Sequence, residues 1–153
     1  MDLILWRHAE AIEPEAGQPD MTRPLTRRGE KQAVKMAAWL DRQMPDTTRI
    51  WVSPSRRTEQ TAAALGRKFK ITDALAPHAT VEQLLELAQW PLGNGCVLMI
   101  GHQPTLGQTL SQVLGLSAGE CAVKKGAVWW VRHRERDTEE QTVVVTVQTP
   151  EFL

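Results

Sequence analysis

The sequence predicts an α/β layered fold built on a mostly parallel sheet, and three observations point to it. Short apolar runs recur along the chain at Leu3–Trp6, Arg49–Val52, Ile71–Leu75 and Cys96–Ile100. Between them lie segments whose apolar residues recur at helical spacing, the alternation that gives crossover connections and parallel strands. At 153 residues, the chain fits one domain able to bury a sizeable core.

Taken in order, Leu3–Trp6 reads as a buried strand, because a continuous apolar run suits a strand covered on both faces. Residues 10–24, rich in Glu, Pro, Gly and Asp and without period, read as a loop. Thr26 is placed to cap a helix with Ala33, Met36, Ala37, Leu40 and Met44 on one face, closed by Pro45. Arg49–Val52 is a second strand. Ser53-Pro54 then suits an N-cap and first turn, for a helix running to about Lys68 that buries Ala62, Leu65 and Phe69. Ile71–Leu75 is a weak third strand. Thr80-Val81-Glu82-Gln83 has the capping-box pattern, followed by the stripe Val81, Leu84, Leu85 and Ala88.

Pro91–Gly95 is a turn and Cys96–Ile100 a fourth strand, from which Gly101-His102-Gln103-Pro104 leads into a helix carrying Leu106, Leu110 and Val113. Ala127–Val131 and Thr142–Val147 read as two further strands, antiparallel at the C-terminal end. The charged stretch from Arg132 to Gln141 reads as a solvated connection, His133 included.

Composition removes several function classes. Lysine plus arginine and aspartate plus glutamate number 18 each, so no overall field points to nucleic acid or an anionic membrane. The six tryptophans fall in expected strands or helices and read as core. Two cysteines, Cys96 and Cys121, form neither a disulfide framework nor a zinc site. The N-terminus reaches Arg7 too early for a signal peptide, and no apolar stretch approaches the roughly 18 residues of a membrane span. A cytoplasmic location is the expectation.

In parallel sheets ligands sit at the carboxyl ends of the strands. Past the first strand come Arg7 and His8; past the second, Ser53-Pro54-Ser55-Arg56-Arg57; past the fourth, Gly101-His102. These points share one sheet edge, where two histidines, two or three arginines and two helix N-termini favour an anion. Phosphoryl transfer suits such a set, because its catalysis is largely positioning and charge stabilisation. Arginine binds phosphoryl oxygens in bidentate fashion, and neutral imidazole is a good nucleophile near neutral pH. No metal or cofactor is required when guanidinium groups supply the positive charge.

The motifs carrying these residues resemble those of the histidine phosphatase superfamily, the phosphoglycerate mutase-like proteins. Leu5-Trp6-Arg7-His8-Ala9 is similar to its Arg-His-Gly signature, and Arg23-Pro24-Leu25-Thr26-x-x-Gly29 to the Pro-Leu-Thr-x-x-Gly segment that follows. Ser53-Pro54-Ser55-Arg56-Arg57-Thr58-Glu59-Gln60-Thr61 resembles its Ser-Pro-x-x-Arg-x-x-Gln-Thr helix start, and Gly101-His102-Gln103-Pro104 its second histidine segment. Short length, Ala9 and Gly-His-Gln-Pro make the chain most similar to the SixA-type phosphohistidine phosphatases. The resemblance implies a three-layer α/β/α sandwich and a ping-pong reaction. His8 is then the nucleophile, while Arg7, Arg57 and His102 are catalytic and hold the phosphoryl oxygens. Arg56 is then a surface residue.

Two departures stand out. Ala9 replaces the family's glycine, and Leu75-Ala76-Pro77-His78-Ala79-Thr80 holds no carboxylate where many members place a glutamate acid. Glu82 and Glu86 come later, on a face expected to be solvated, and His78 is a minor candidate to replace the acid. Imidazole leaves phosphorus more easily than an alkoxide, so a P–N substrate asks less of a general acid. The leading expectation is therefore hydrolysis of phosphohistidine on a partner protein. Lys124-Lys125-Gly126 reads first as a plain turn before a strand, and only secondarily as an aid in gathering an acidic protein substrate. A small-metabolite phosphomonoesterase and a non-catalytic phosphate-binding module are the alternatives. The sequence carries no signature of oligomeric state.

Overall fold

The apolar runs Leu3–Trp6 and Cys96–Ile100 become strands for the expected reason: each is covered on both faces. A computed structural model describes residues 1–153. Its strands are β1 (Asp2–Arg7), β2 (Arg49–Val52), β3 (Lys70–Ile71), β4 (Cys96–Gly101), β5 (Val128–Arg136) and β6 (Glu139–Gln148). Its helices are α1 (Arg27–Gln43), α2 (Arg56–Ala63), α3 (Val81–Ala88) and α4 (Thr105–Val113). The sheet order is β3-β2-β4-β1-β5-β6, with the first four strands parallel and β5 and β6 antiparallel. The carboxyl ends of β2, β4 and β1 therefore stand side by side.

Strand alternation splits the core between the two faces. Ile4, Trp6, Ile50, Val52, Leu98 and Ile100 pack against Met36, Ala37 and Leu40 of α1 and Ala62 of α2. Leu3, Leu5, Val97 and Met99 pack against Leu84 and Ala88 of α3 and Leu106 and Leu110 of α4. Two helices on each face make the three-layer α/β/α sandwich. No helix is long and apolar enough to cross a membrane.

Helix starts follow local chemistry. Thr26 caps α1, its Oγ1 accepting from Gly29 N at 2.9 Å, and Thr80 and Gln83 form the capping box of α3. At α2 the cap is Ser55 rather than Ser53; its Oγ accepts from Thr58 N. Ser53 N instead donates to Ile100 O at 3.0 Å, continuing the β2–β4 ladder, so Ser53 belongs to the strand side of the turn.

Three other expectations are corrected. The α2 helix ends at Ala63, not near Lys68, because the chain turns through Gly66 at φ +67°. Leu65 and Phe69 still reach the core from the segment beyond it. The third strand shrinks to Lys70–Ile71, and Asp73–Leu75 forms a 3-10 turn whose cap is Thr72 Oγ1, accepting from Ala74 N. The charged stretch from Arg132 to Gln141 is not a loose connection: it completes a long hairpin that turns at Asp137-Thr138, with Asp137 at φ +57°. Its charges are tolerated because β6 is a sheet edge and their side chains are largely exposed. His133 lies half-buried in β5, edge-on to Trp90 with ring centroids 5.7 Å apart.

Candidate active site

Backbone hydrogen bonds fix the three strand ends relative to one another. His8 N donates to Gly101 O at 3.2 Å, linking the residue after β1 to the end of β4. His8 and His102 are each nearly buried, at 6% and 4% exposure, with ring centroids 5.3 Å apart. Arg57, on the first turn of α2, is buried beside them, and its Nη2 donates to His102 Nδ1 at 3.3 Å. Arg7 is half-buried and anchored by Nη1 donating to Val123 O at 2.8 Å. All four residues anticipated from the strand ends thus converge. Arg56, one residue earlier on α2, is exposed as expected.

Hydrogen bonds set the tautomers of both rings. Ala9 O lies 2.8 Å from His8 Nδ1 and can only accept, so Nδ1 carries the proton and Nε2 keeps its lone pair. At His102 the Arg57 donor faces Nδ1, so the proton sits on Nε2 and is donated to Ser53 Oγ at 2.7 Å. Burial, with the charges of Arg57, Arg7 and Lys125, holds the His8 imidazole neutral, its pKa lowered to about 3. Burial, then His8 and Arg57, lowers His102 to about 3 as well. Both arginine pKa values also move down. Desolvation is the main cause for each, and the charge of Arg57 adds to it at Arg7.

Two donors remain without a protein acceptor: Arg7 Nε and Arg57 Nε, both buried. A buried N–H without an acceptor is costly, so two on guanidinium groups beside the histidine pair suit an acidic oxygen.

The rest of the motif residues hold this geometry. Thr61 Oγ1 accepts from Ala9 N at 3.1 Å and donates to Arg57 O at 2.7 Å, joining the segment after β1 to α2. Gln60 Oε1 accepts from Leu25 N at 2.7 Å and so docks the long loop after β1. Gly29 lies so close to the backbone of Glu10 that a Cβ would overlap Glu10 O. Ala9 fits without strain, its methyl packed with Leu25 and Ala33. Gln103 ties the start of α4 to the following loop, with Nε2 donating to Cys121 O at 2.8 Å.

Two functional neighbours escaped the sequence reading. Ser53, assigned there as a helix cap, is the partner of His102. Asp20, in a 3-10 turn (Asp20–Thr22) within the aperiodic loop, takes two donors of Arg57: Nη2 to its Oδ2 at 3.0 Å and Nη1 to its backbone O at 2.9 Å. Desolvation pushes its carboxyl up slightly, but hydrogen bonds from Arg57 and Arg23 prevail and hold its pKa below the usual range. The pattern Asp20-x-x-Arg23 just before Pro24-Leu25-Thr26 was the available signal, since Arg23 Nε bonds Asp20 Oδ1 at 3.0 Å and orients it.

His78 is exposed and makes no hydrogen bond with His8, His102, Arg7 or Arg57. With Thr80, Glu82, Thr105 and Gln112 it lines a cleft of about 690 Å³ between the starts of α3 and α4, which neither histidine nor either arginine of the site lines. Glu82 and Glu86 are exposed, as expected for a solvated face. Cys96 is buried and Cys121 half-buried, both free thiols. One group could hold a metal ion, His133 with Glu135 and Glu140, whose ligand atoms lie within 4.8 Å of one another. His133 N bonds Met1 O, which places that group beyond the opposite end of β1 from His8.

A histidine pair flanked by one buried and one half-buried arginine, at the carboxyl edge of a parallel sheet in an α/β/α sandwich, defines a phosphoglycerate mutase-like phosphoryl-transfer protein. The chain belongs to the histidine phosphatase superfamily (branch 1), whose family model matches residues 3–146. Within it the chain is of SixA type and a phosphatase. It is 30% identical over 121 residues to the phosphohistidine phosphatase SixA of Escherichia coli, covering 74% of each chain. A protein histidine phosphatase SixA solved with tungstate superimposes with TM-score 0.81 at 25% identity, covering 99% of each chain. A phosphoserine phosphatase of Entamoeba histolytica solved with 3-phosphoglyceric acid shares the fold, with TM-score 0.73 at 14% identity over 97% of this chain and 96% of its own.

Proposed function

We propose that the whole chain acts as one catalytic unit that hydrolyses phosphohistidine on a partner protein, without a metal, through a phosphorylated His8. The carrying observation is the free Nε2 of His8, fixed by the Nδ1 bond to Ala9 O, within a set of buried donors that includes two unpartnered guanidinium nitrogens. A binding module needs the donors but has no use for a neutral, oriented imidazole nitrogen among them.

In the first half-reaction His8 Nε2 attacks phosphorus in line. The Nε2–P bond forms as the substrate P–N bond breaks, and the departing imidazole nitrogen keeps the electron pair and takes a proton. Arg7 and Arg57 hold the equatorial oxygens. His102 completes the cradle once an anion favours a proton on its Nδ1, with Ser53 Oγ still holding Nε2. In the second half-reaction water attacks phosphorus and the P–Nε2 bond breaks. The water oxygen and one of its protons end on the phosphate. Its other proton returns to solvent, in place of the one the departing imidazole took from there. His8 regains its Nε2 lone pair, with Nδ1–H still held by Ala9 O. A P–N substrate demands little of a general acid, in keeping with the segment 75–80 around His78, which holds no carboxylate. That a SixA relative was solved with tungstate, itself a tetrahedral oxyanion, supports an oxyanion as ligand here. A second reading is a small phosphate ester whose phosphate sits between His8 and Arg57 and whose organic part reaches toward the cleft of about 690 Å³ that Pro104 and Thr105, just past His102, help to line.

Phosphate release from a ³²P-phosphohistidine protein, run beside an alkyl phosphate with wild type and His8→Ala, separates these readings. Release from phosphohistidine alone, unchanged by EDTA and lost in the variant with its trapped label, is the expected result. Faster turnover of the alkyl phosphate moves the substrate to the metabolite class. Equal inactivity of both proteins on both substrates leaves phosphate binding as the function.

A further inference from the structure

The two faces of the sheet offer very different surroundings to whatever carries the phosphoryl group. On the α3–α4 face, the lining of the cleft beside the site carries one carboxylate, Glu82, and no arginine or lysine. On the α1 face the surface beside the site is cationic. Arg28, Lys31 and Lys35 recur at helical spacing along one exposed stripe of α1. They line one small cleft with Gln32 and Pro150, and Lys124 and Lys125 join Arg28 and Gln32 in the adjoining one.

This surface is tied to the nucleophile by backbone. Gly126 N, one residue after Lys125, donates to both Arg7 O at 3.1 Å and His8 O at 3.0 Å, and Trp6 Nε1 donates to Gly126 O. Gln32, between Lys31 and the cleft floor, accepts from Glu10 N two residues past His8. Gly126 holds φ +77° against Pro150 and Gln32, which fixes the two lysines at the cleft wall. Five cations face two carboxylates there. Glu151 pairs with Lys124 at 3.2 Å, and Glu10 approaches Arg28 at 3.8 Å. Lys31, Lys35 and Lys125 have no ion-pair partner within the chain.

We infer that this cationic shelf receives an acidic segment of the phosphoprotein, with aspartate or glutamate side chains flanking the phosphohistidine, and so sets which way the partner lies across the site. The inference rests on the phosphohistidine reading above. Like-signed charges clustered at the rim of a site raise the local concentration of an opposite-signed partner, chiefly through the association rate, and do so less as salt rises. The phosphoryl cradle recognises the phosphate alone; the shelf adds recognition of what surrounds it.

The test uses the full-length protein and three phosphohistidine peptides, flanked by glutamates, by serines or by lysines, with phosphoramidate as a flank-free substrate. Wild type at low salt is expected to show kcat/KM roughly tenfold higher for the glutamate peptide than for the lysine peptide, converging in 0.5 M salt. Lys31→Glu/Lys35→Glu/Lys124→Glu is expected to abolish or invert that order while keeping phosphoramidate turnover. Equal turnover of the three peptides by wild type at low salt overturns the shelf and leaves the phosphohistidine reading intact. Turnover of an alkyl phosphate with none of any phosphohistidine peptide overturns that reading, and the shelf with it. The wild-type comparison needs no substitution, so it decides the matter even where the triple variant folds poorly.

Discussion

Asp20 holds two of the donors through which Arg57 would grip a phosphoryl oxygen, so anion and carboxylate compete for one guanidinium. The backbone contact survives a side-chain change, but the charged one does not. Asp20 is half exposed, so its ion pair is worth only about 0.5–1 kcal/mol. Asp20→Asn should therefore bind inorganic phosphate or vanadate roughly two- to fivefold more tightly, read as a lower inhibition constant. Unchanged or weaker inhibition would show that Asp20 organises Arg57 rather than competing for it. Ser53 is the opposite case, a partner with no competitor. Ser53→Ala leaves the buried Nε2–H of His102 without an acceptor, and urea unfolding should show a loss of about 1–3 kcal/mol. Substitution by threonine, which keeps the hydroxyl, should recover much of it.

At the scale of elements, the site depends on close approach between α1 and the segment after β1. Gly29 lets α1 lie against Glu10, and any side chain there must push the helix away from the residues that follow His8. Gly29→Ala is expected to cost about 1–3 kcal/mol in chemical denaturation and to lower kcat as well, since the strain falls on the segment that carries His8, the proposed nucleophile. Stability loss without any change in kcat would place the strain elsewhere. The elements legible in the sequence were those with a strong period or a cap: Leu3–Trp6, the Met36–Leu40 stripe behind Thr26, Cys96–Ile100 and the Thr80 capping box. His8, Arg7, Arg57 and His102 were legible because each follows a strand end. Those that escaped are set by partners distant in sequence. Ser53 looks like a cap until β4 pairs beside it, and Asp20 lies in an aperiodic loop until Arg57 reaches it. The charged hairpin was hidden because its strands include an exposed edge with no apolar alternation to report it.

For the whole molecule, burying two neutral histidines couples folding to pH. Both have folded-state pKa values lowered from 6.5 to about 3, so the unfolded chain takes up protons that the folded one refuses. Stability from this source is fully present above pH 6.5 and drains away as pH falls from there towards 3. Between pH 7 and pH 5 the loss is about 2 kcal/mol for each histidine. Urea midpoints should fall over that range, and fall much less in a His8→Gln/His102→Gln protein; equal slopes would show that other groups carry the effect. The strand order bears on the birth of the protein as well. The two neighbours of β1 are β4 and β5, so β1 leaves the ribosome well before residues 96–101 and 128–136, which complete it. At about 5–20 residues per second, the apolar Leu3–Trp6 segment waits several seconds before either partner emerges. During that interval α1 and β2 exist without the strands that would cover them. A nascent chain interrupted before Cys96 therefore exposes an unpaired apolar strand, a natural target for chaperones and for proteolysis.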